Sequence, residues 1–226
     1  GRLEKVLISK RDDLLAALAE DLGKPGMEAY LSEYHFLLQE LRLVRKKMKK
    51  WLRRKRVASP IYFWPCRSWL DRKPFGVVLV IAPWNYPFQL SLSPIIAAIA
   101  AGNTVVLKPS ELAPASERVL QEIVEGALAQ GGGAVVAGGV EVAEALLEEK
   151  FDFIFFTGST RVGRKVAVKA AESLTPTLME LGGKCPCVVD EGVDLKVAAR
   201  RVLAGKFFNG GQTCFAPDFV AVAESV

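Results

Sequence analysis

The chain has 226 residues, half of them hydrophobic and 24% of them charged. This length and balance are typical of one large globular domain or two small ones, and they exclude a chain that is disordered as a whole. Only four cysteines and one histidine occur. That count argues against a disulfide framework and a structural zinc site, so we expect no metal.

The positive charge is concentrated in one stretch. Residues 42–56 contain ten lysines and arginines, and removing these ten charges from the net charge of +5 leaves −5 on the remaining residues. Such a stretch can bind nucleic acid or an anionic membrane surface. However, Val44, Met48, Trp51 and Leu52 recur in it at helical spacing, which favours a helix with one packed and one solvated face. We therefore expect no nucleic-acid partner.

Two features bear on localisation. The N-terminal residues are charged and amphipathic, which predicts that there is no signal peptide. The apolar stretch 75–101 is interrupted by Pro83, Asn85, Pro87 and Pro94, so it lacks the roughly 20 uninterrupted apolar residues of a membrane span. We expect a cytoplasmic chain with no membrane contact in this segment. Both ends look cut, which predicts a fragment.

The predicted elements begin with helices and change after Pro74. The leucines of 14–22 share a helical face, Gly23 and Pro25 form a stop signal, and 28–56 is again helical, so residues 1–57 are expected to be helical. Predicted strands are 76–82, 104–107, 134–136, 152–156 and 177–179, and predicted helices are 88–101, 115–130, 140–150 and a segment after residue 159. Alternating strands and helices predict an α/β fold with a doubly wound parallel sheet.

Cys214 is a candidate nucleophile. It ends the segment NGGQTC, whose small and polar residues favour an accessible turn. A cysteine hydrolase needs a histidine base, and the only histidine, His35, lies in a predicted helix far from any turn. If Cys214 is catalytic, its chemistry uses no histidine from this segment.

Two other polar side chains lie at the ends of predicted strands. Asn85, in PWNYP, can donate to a developing oxyanion or simply cap a turn. Glu180, in MELGGK, follows the strand 177–179 and is either a general base or a solvated loop residue.

Two further motifs suggest nucleotide binding. The segment 158–163, GSTRVG, follows a strand and opens a helix, as a phosphate-binding turn does, although a tight strand–helix turn explains it equally. Lys108 and Glu111, in KPSE, follow the second strand of the sheet. They can bind ribose hydroxyls or lie in a solvated turn.

Taken together, five motifs resemble the aldehyde dehydrogenase superfamily: PWNYPF, AAGNTVVLKPSE, FTGST..VG, MELGGK and NGGQTC, in this order. The versions GVVLVIAPWNYPF and LGGKCPCVVD look most like its class 3 group, which includes fatty and aromatic aldehyde dehydrogenases. The resemblance covers essentially all 226 residues. Family members are much longer, so it predicts an N-terminal fragment that does not turn over in isolation.

The resemblance implies an oxidoreductase that converts an aldehyde to a carboxylic acid with NAD, and possibly NADP. Cys214 would form a thiohemiacetal and then a thioester, Asn85 would hold the oxyanion, and Glu180 would activate the hydrolytic water. Glu111 beside the ribose would favour NAD. The residues implied in cofactor binding are Trp84, Lys108, Ser110, Glu111, Gly158, Ser159, Val162, Gly163, Leu181 and Gly182.

The resemblance also implies a Rossmann-like dinucleotide-binding domain over 1–181, made of a helical lead-in (1–57) and a sheet core (74–181). Residues 182–226 would begin a catalytic domain. A homodimer is expected for the complete protein. Two alternatives stay open: a truncated NAD-binding module without turnover, and a basic surface-binding protein that uses residues 42–56.

Overall fold

The computed structural model describes residues 1–128 and 131–226. The helices are α1 (Arg2–Ser9), α2 (Arg11–Leu22), α3 (Gly26–Ala29), α4 (Phe36–Trp51), α5 (Pro87–Ala100), α6 (Pro114–Leu128), α7 (Val140–Glu148), α8 (Thr160–Glu172) and α9 (Leu195–Phe207). The strands are β1 (Lys55–Val57), β2 (Ser68–Leu70), β3 (Val77–Ile81), β4 (Thr104–Lys108), β5 (Gly133–Val135), β6 (Phe153–Gly158), β7 (Thr177–Leu181), β8 (Pro186–Val189) and β9 (Phe219–Val222). A π-helical turn, Tyr30–His35, joins α3 to α4.

The centre of the fold is a parallel five-stranded sheet with the order β5-β4-β3-β6-β7. From β3 the chain builds outward through β4 to β5, then returns to place β6 and β7 on the other side of β3. This reversal creates a topological switch point between β3 and β6, outside the carboxyl ends of the strands. The predicted α/β fold with a doubly wound parallel sheet is therefore confirmed.

Both faces of this sheet are covered by helices, as the apolar sequence of β3 requires. Val78 and Val80 point into the larger core, which includes side chains of α1, α2, α4, α5 and α6. Leu79 and Ile81 point into a smaller core with Val166 of α8. The side chains of β3 thus alternate between two cores, one on each face of the sheet. This gives a three-layer architecture, with the switch point at the carboxyl ends of the strands.

The prediction that residues 1–57 are helical is wrong at its end. Helix α4 stops at Trp51, and β1 pairs antiparallel with β2. On a continued helix, like charges three positions apart, such as Arg53 and Arg56, would lie side by side and repel each other. In the structure β1 instead pairs with β2, with Val57 opposite Ser68. Trp51 and Leu52 are exposed, so the packed face of α4 ends at the half-buried Met48.

Several strands run further than predicted. Strands β4, β6 and β7 each continue past the residue at which they were predicted to end. The last pairs are Ile81 with Lys108 and Gly158 with Leu181. Glu180 therefore belongs to β7 and not to a loop. Residues 129 and 130 of the predicted helix 115–130 lie outside the described residues.

The residues after β7 form elements that the sequence did not predict. Strands β8 and β9 pair in parallel as a separate two-stranded sheet, and α9 lies between them in the chain. Within the described ranges, no helix is long and apolar enough to cross a membrane.

Candidate active site

Two cavities meet at the switch point. The first, here called the switch-point cavity, has a volume of about 840 Å³ and lies at the ends of β3, β4 and β6, against α7 and α8. The second, the thiol cavity, has about 770 Å³ and extends from the same strand ends past α5 to Cys214. The two cavities share five of their lining residues: Pro83, Trp84, Thr157, Gly158 and Ser159.

A lysine–glutamate pair lines one part of the switch-point cavity. Lys108 is the last residue of β4, and its side chain is 4% exposed. Its Nζ donates to Glu111 Oε2 at 2.8 Å, which lowers the pKa of the Glu111 carboxyl. Ser110 lines the same cavity. The structure therefore places a buried cation and a more exposed, ionised carboxylate together, and Lys108 is not part of a solvated turn.

The first turn of α8 forms the opposite wall. Ser159 is the N-cap residue, and its Oγ accepts a hydrogen bond from Val162 N at 3.3 Å. A Cβ at Gly163 would lie 2.6 Å from Leu181 Cδ2, so the missing side chain allows α8 to lie close to β7. Exposed N–H groups and the helix dipole make such a terminus favourable for an anion.

Polar side chains from three elements converge on the thiol cavity. Asn85 follows β3, Glu180 is in β7, and Cys214 lies in the loop after α9. Leu181 and Gly182 line the same cavity. Cys214 is exposed and forms no disulfide, and Glu180 is also exposed. The structure thus brings together all three predicted catalytic residues.

Reciprocal hydrogen bonds fix the loop that carries Cys214. Asn85 Nδ2 donates to Gln212 O at 2.7 Å, and Asn209 Nδ2 donates to Asn85 O at 2.8 Å. The hydroxyls of Tyr86 and Thr213 are 2.8 Å apart. The loop after β3 and the segment before the thiol are therefore held as one unit.

Asn209 is a positioning residue that sequence reasoning missed. Its φ is +54°, and Gly210 and Gly211 also have positive φ. Asparagine and glycine are the residues that adopt this backbone region at low cost. Its backbone N–H donates to Glu28 Oε1 at 2.6 Å. The Asn-Gly-Gly run was the only signal for this left-handed turn.

Glu33 is a second residue that sequence reasoning missed. It is fully buried, and its Oε2 accepts the backbone N–H groups of Phe88 at 2.9 Å and Gln89 at 3.2 Å. Burial raises the pKa of its carboxyl, against the opposing effect of the buried Lys24, which bonds the other oxygen. The carboxylate caps α5 and so fixes the helix that begins just after Asn85.

Comparison with known proteins covers the whole chain. The model of the aldehyde dehydrogenase family matches residues 1–226. The 4,4'-diaponeurosporen-aldehyde dehydrogenase of Staphylococcus aureus is 45% identical over 225 residues, which are 100% of this chain and 49% of that protein. Aldehyde dehydrogenase family 3 member H1 of Arabidopsis thaliana is 45% identical over 223 residues, 97% of this chain and 46% of that protein.

The fold also agrees closely with that of a solved structure. The substrate-bound state of Staphylococcus aureus AldH superposes with a TM-score of 0.97 and 45% identity, over 100% of this chain and 49% of that one. The chain therefore spans about half the length of the relatives that it matches. The family expected from the five motifs is confirmed: this chain belongs to the aldehyde dehydrogenase family, with class 3 members among its relatives.

Proposed function

We propose that the complete protein oxidises an aldehyde to a carboxylic acid with NAD or NADP. The observation that carries this proposal is the convergence of Cys214, Asn85 and Glu180 on one cavity that joins the switch-point cavity at Trp84 and Gly158. A nucleophile, an oxyanion donor and a carboxylate base are the groups that such a reaction needs.

The switch-point cavity fits a dinucleotide. The N-terminus of α8, with Ser159 as its cap, suits a pyrophosphate, and the side chains of Lys108 and Glu111 suit ribose hydroxyls. Thr157 lines both cavities, and its buried Oγ1 has no hydrogen-bond partner among the described residues, so it can bind a ligand. Four other predicted cofactor residues line this cavity: Trp84, Ser110, Gly158 and Val162. Two more, Leu181 and Gly182, line the thiol cavity.

A nicotinamide dinucleotide bound there supplies a hydride acceptor. The chain's own residues prepare the substrate: the Cys214 thiolate attacks the aldehyde carbonyl, and the carbonyl oxygen becomes an oxyanion. Asn85 carries two amide N–H groups, of which one already donates to Gln212 O, so the other remains for that oxyanion. The backbone N–H of Cys214 is the second proposed donor.

Glu180 acts in the second half-reaction. After oxidation the acyl group is held on Cys214 as a thioester, and a water molecule must attack it. The Glu180 carboxylate takes a proton from that water as it attacks, the C–S bond breaks, and the thiolate returns. Its place in β7, opposite Thr157, sets the carboxylate on the cavity wall beside the thiol.

The proposal extends to the substrate and the organisation of the complete protein. Apolar side chains of Leu90, Pro94 and Phe155 in the thiol cavity support medium- to long-chain aliphatic or aromatic aldehydes. The separate sheet of β8 and β9 supports a domain boundary after residue 181. The low cysteine count of this chain supports a cytoplasmic location.

A homodimer is the proposed assembly of the complete protein. Ile61 and Trp64, between β1 and β2, are 89% and 83% exposed. Large exposed apolar side chains of this kind are typical of surfaces that contact another chain. This supports a subunit contact near that hairpin.

The test is aldehyde-dependent reduction of NAD by the full-length protein, followed by nicotinamide absorbance with aliphatic and aromatic aldehydes. We expect turnover, and we expect Cys214→Ser to abolish it while NAD affinity stays unchanged. NAD binding without turnover in the unmodified protein would instead favour the alternative of a binding module. Retained activity in Cys214→Ser would exclude Cys214 as the nucleophile.

A further inference from the structure

A second thiol lies directly against the residue proposed as the nucleophile. Cys185 Sγ is 3.4 Å from the backbone carbonyl oxygen of Cys214. A carbonyl oxygen lies about 2.4 Å from its own Cα, so Cys185 Sγ is within about 5.8 Å of Cys214 Cα. At this separation, side-chain rotation with a small shift of the loop can bring the two sulfurs together. Cys214 is exposed and Cys185 is half-buried, and neither forms a disulfide in the structure.

The sheet of β8 and β9 fixes this proximity. Asp218 N donates to Cys185 O at 2.9 Å, and the next residue of each segment continues the pairing, Pro186 opposite Phe219. Lys184 and Asp218 also form a salt bridge at 2.8 Å. The short segment from Cys214 to Asp218 thus folds back over Cys185, and the contact does not depend on a free loop.

We propose that Cys185 is a resolving thiol that captures Cys214 after oxidation by a hydroperoxide, as a reversible disulfide. The proposal rests on the proposed function in one respect, that Cys214 is the reactive thiolate. The Cys185 thiol is not assigned any part in aldehyde oxidation.

The chemistry has two steps. First, the Cys214 thiolate attacks the hydroperoxide, so that an S–O bond forms, the O–O bond breaks, and the hydroperoxide is reduced to an alcohol or water. Second, the Cys185 sulfur attacks the resulting sulfenic acid, so that an S–S bond forms, the S–O bond breaks, and water leaves. The two thiols lose two hydrogen atoms in total, and a dithiol reductant returns them.

The consequence is protection of the nucleophile. A sulfenic acid that finds no thiol is oxidised further to sulfinic and sulfonic acids, which ordinary thiols do not reduce. Capture by Cys185 stops this sequence at a state from which activity returns. Oxidant therefore inactivates the enzyme reversibly.

Cys187 provides a matched control. It lies two residues further on, in β8 opposite Val220, and is also half-buried and free of any disulfide. It lines a different cavity, with Val197 and Arg201 of α9. A Cys187→Ser variant therefore makes the same atomic change two residues further on, in a side chain that lines a different cavity from Cys214.

The experiment uses the full-length protein, freed of small thiols and treated with a molar excess of hydrogen peroxide, because oxidation of a sulfenic acid to a sulfinic acid consumes a second peroxide molecule. Intact mass and peptide mapping after alkylation identify the products, and activity is assayed before and after dithiothreitol. In the unmodified protein and in Cys187→Ser, we expect loss of two hydrogens, a Cys185–Cys214 disulfide, and recovered activity. In Cys185→Ser, we expect sulfinic or sulfonic acid on Cys214, with two or three added oxygen atoms, and roughly tenfold less recovered activity.

Two results would overturn the inference: Cys185→Ser recovers as fully as the unmodified protein, or Cys214 is linked to Cys187 or Cys66 instead. The mass readout keeps this test separate from the proposed function. A Cys185–Cys214 disulfide in a protein without aldehyde-dependent turnover would support the resolving thiol and contradict the dehydrogenase. Full turnover with no such disulfide would do the reverse.

Discussion

The side-chain amide of Asn85 donates to the backbone carbonyl of Gln212 at 2.7 Å, although the two residues are 127 positions apart in the chain. Asn209 returns the contact by donating to Asn85 O at 2.8 Å. The proposed oxyanion donor and the loop that carries the proposed nucleophile are therefore positioned by each other. A substitution in either Asn85 or this loop is therefore expected to displace the other. The two form one bonded unit and do not merely line the same cavity.

Replacement of Asn85 by alanine removes both the free N–H and the bond to the loop. We expect kcat for aldehyde oxidation to fall by roughly 100- to 1000-fold, the loss typical of one oxyanion donor, with unchanged NAD affinity. Steady-state kinetics and NAD titration of the full-length protein measure this. Gln212→Ala is the comparison, because its backbone carbonyl still accepts from Asn85, so its loss should be much smaller. The variant does lose the bond from Gln212 Nε2 to Asn209 O, so equal losses would show that a disturbed loop, and not the missing oxyanion donor, accounts for the effect.

The elements that sequence predicted best are those whose pattern is local. The apolar run of β3 is typical of a strand buried on both faces, and the Gly-Ser-Thr turn before α8 indicates a helix start. The place of Asn85 after a strand and of Ser159 at a helix start therefore followed from the sequence. The five motifs supplied the family.

Features that depend on distant partners could not be predicted. Glu33 caps α5 through residues more than 50 positions away, and nothing near Glu33 in the sequence indicates this. The pairing of β8 with β9 joins segments that are more than 30 residues apart. The burial of Lys108 could not be predicted either, and its motif was compatible with a solvated turn. That burial depends on the strand ends and on α7, which surround the side chain in the folded chain.

Glu180→Gln tests the base for thioester hydrolysis. The amide is nearly isosteric but cannot accept the proton from water, so deacylation should slow by roughly 100- to 10,000-fold while acylation proceeds. Rapid-mixing kinetics should show an initial burst of reduced cofactor, followed by a slow steady state. Glu172→Gln, an exposed acid at the end of α8, should behave as the unmodified protein. Loss of the burst with normal thioester hydrolysis would contradict the assignment.

Glu111→Gln tests discrimination between NAD and NADP. The hydrogen bond from Lys108 lowers the pKa of Glu111, so the carboxylate stays ionised from neutral pH to below its usual value of about 4.5 and repels a 2′-phosphate. The amide removes that charge, and we expect the ratio of NADP to NAD affinity to rise by roughly tenfold, as loss of one partly solvated repulsion permits. Because Glu111 does not titrate near neutrality, the ratio in the unmodified protein should not change between about pH 7.5 and 8.5, where a phosphate monoester, with a second pKa of about 6, is also fully ionised.

The control for this change is Glu144→Gln, since Glu144 lines the same cavity from α7. Isothermal titration of the full-length protein with both dinucleotides gives the two ratios. A similar rise in Glu144→Gln would show that the overall charge of the cavity, and not Glu111, decides the preference. If the ratio of NADP to NAD affinity did not rise in Glu111→Gln, Glu111 would not lie at the ribose.

Two helical glycines should respond in opposite ways to alanine. At Gly163 the new Cβ would lie 2.6 Å from Leu181 Cδ2 and 3.2 Å from Phe156 Cε1, so α8 must move from β7 or both side chains must shift. At Gly126 in α6 the nearest atom, Val6 Cγ1, would be 3.5 Å away, which is ordinary contact. Overpacking typically costs about 1–3 kcal/mol, whereas alanine in place of a helical glycine contributes up to about 1 kcal/mol.

We therefore expect Gly163→Ala to lower the melting temperature of the full-length protein and to weaken NAD binding, because the N-terminus of α8 is displaced. Gly126→Ala should raise the melting temperature and leave NAD affinity unchanged. Calorimetry and NAD titration on the two variants give both readouts. If Gly163→Ala gained stability as Gly126→Ala does, the close approach of α8 to β7 would not constrain the fold. If it lost stability with normal NAD affinity, the first turn of α8 would not hold the pyrophosphate.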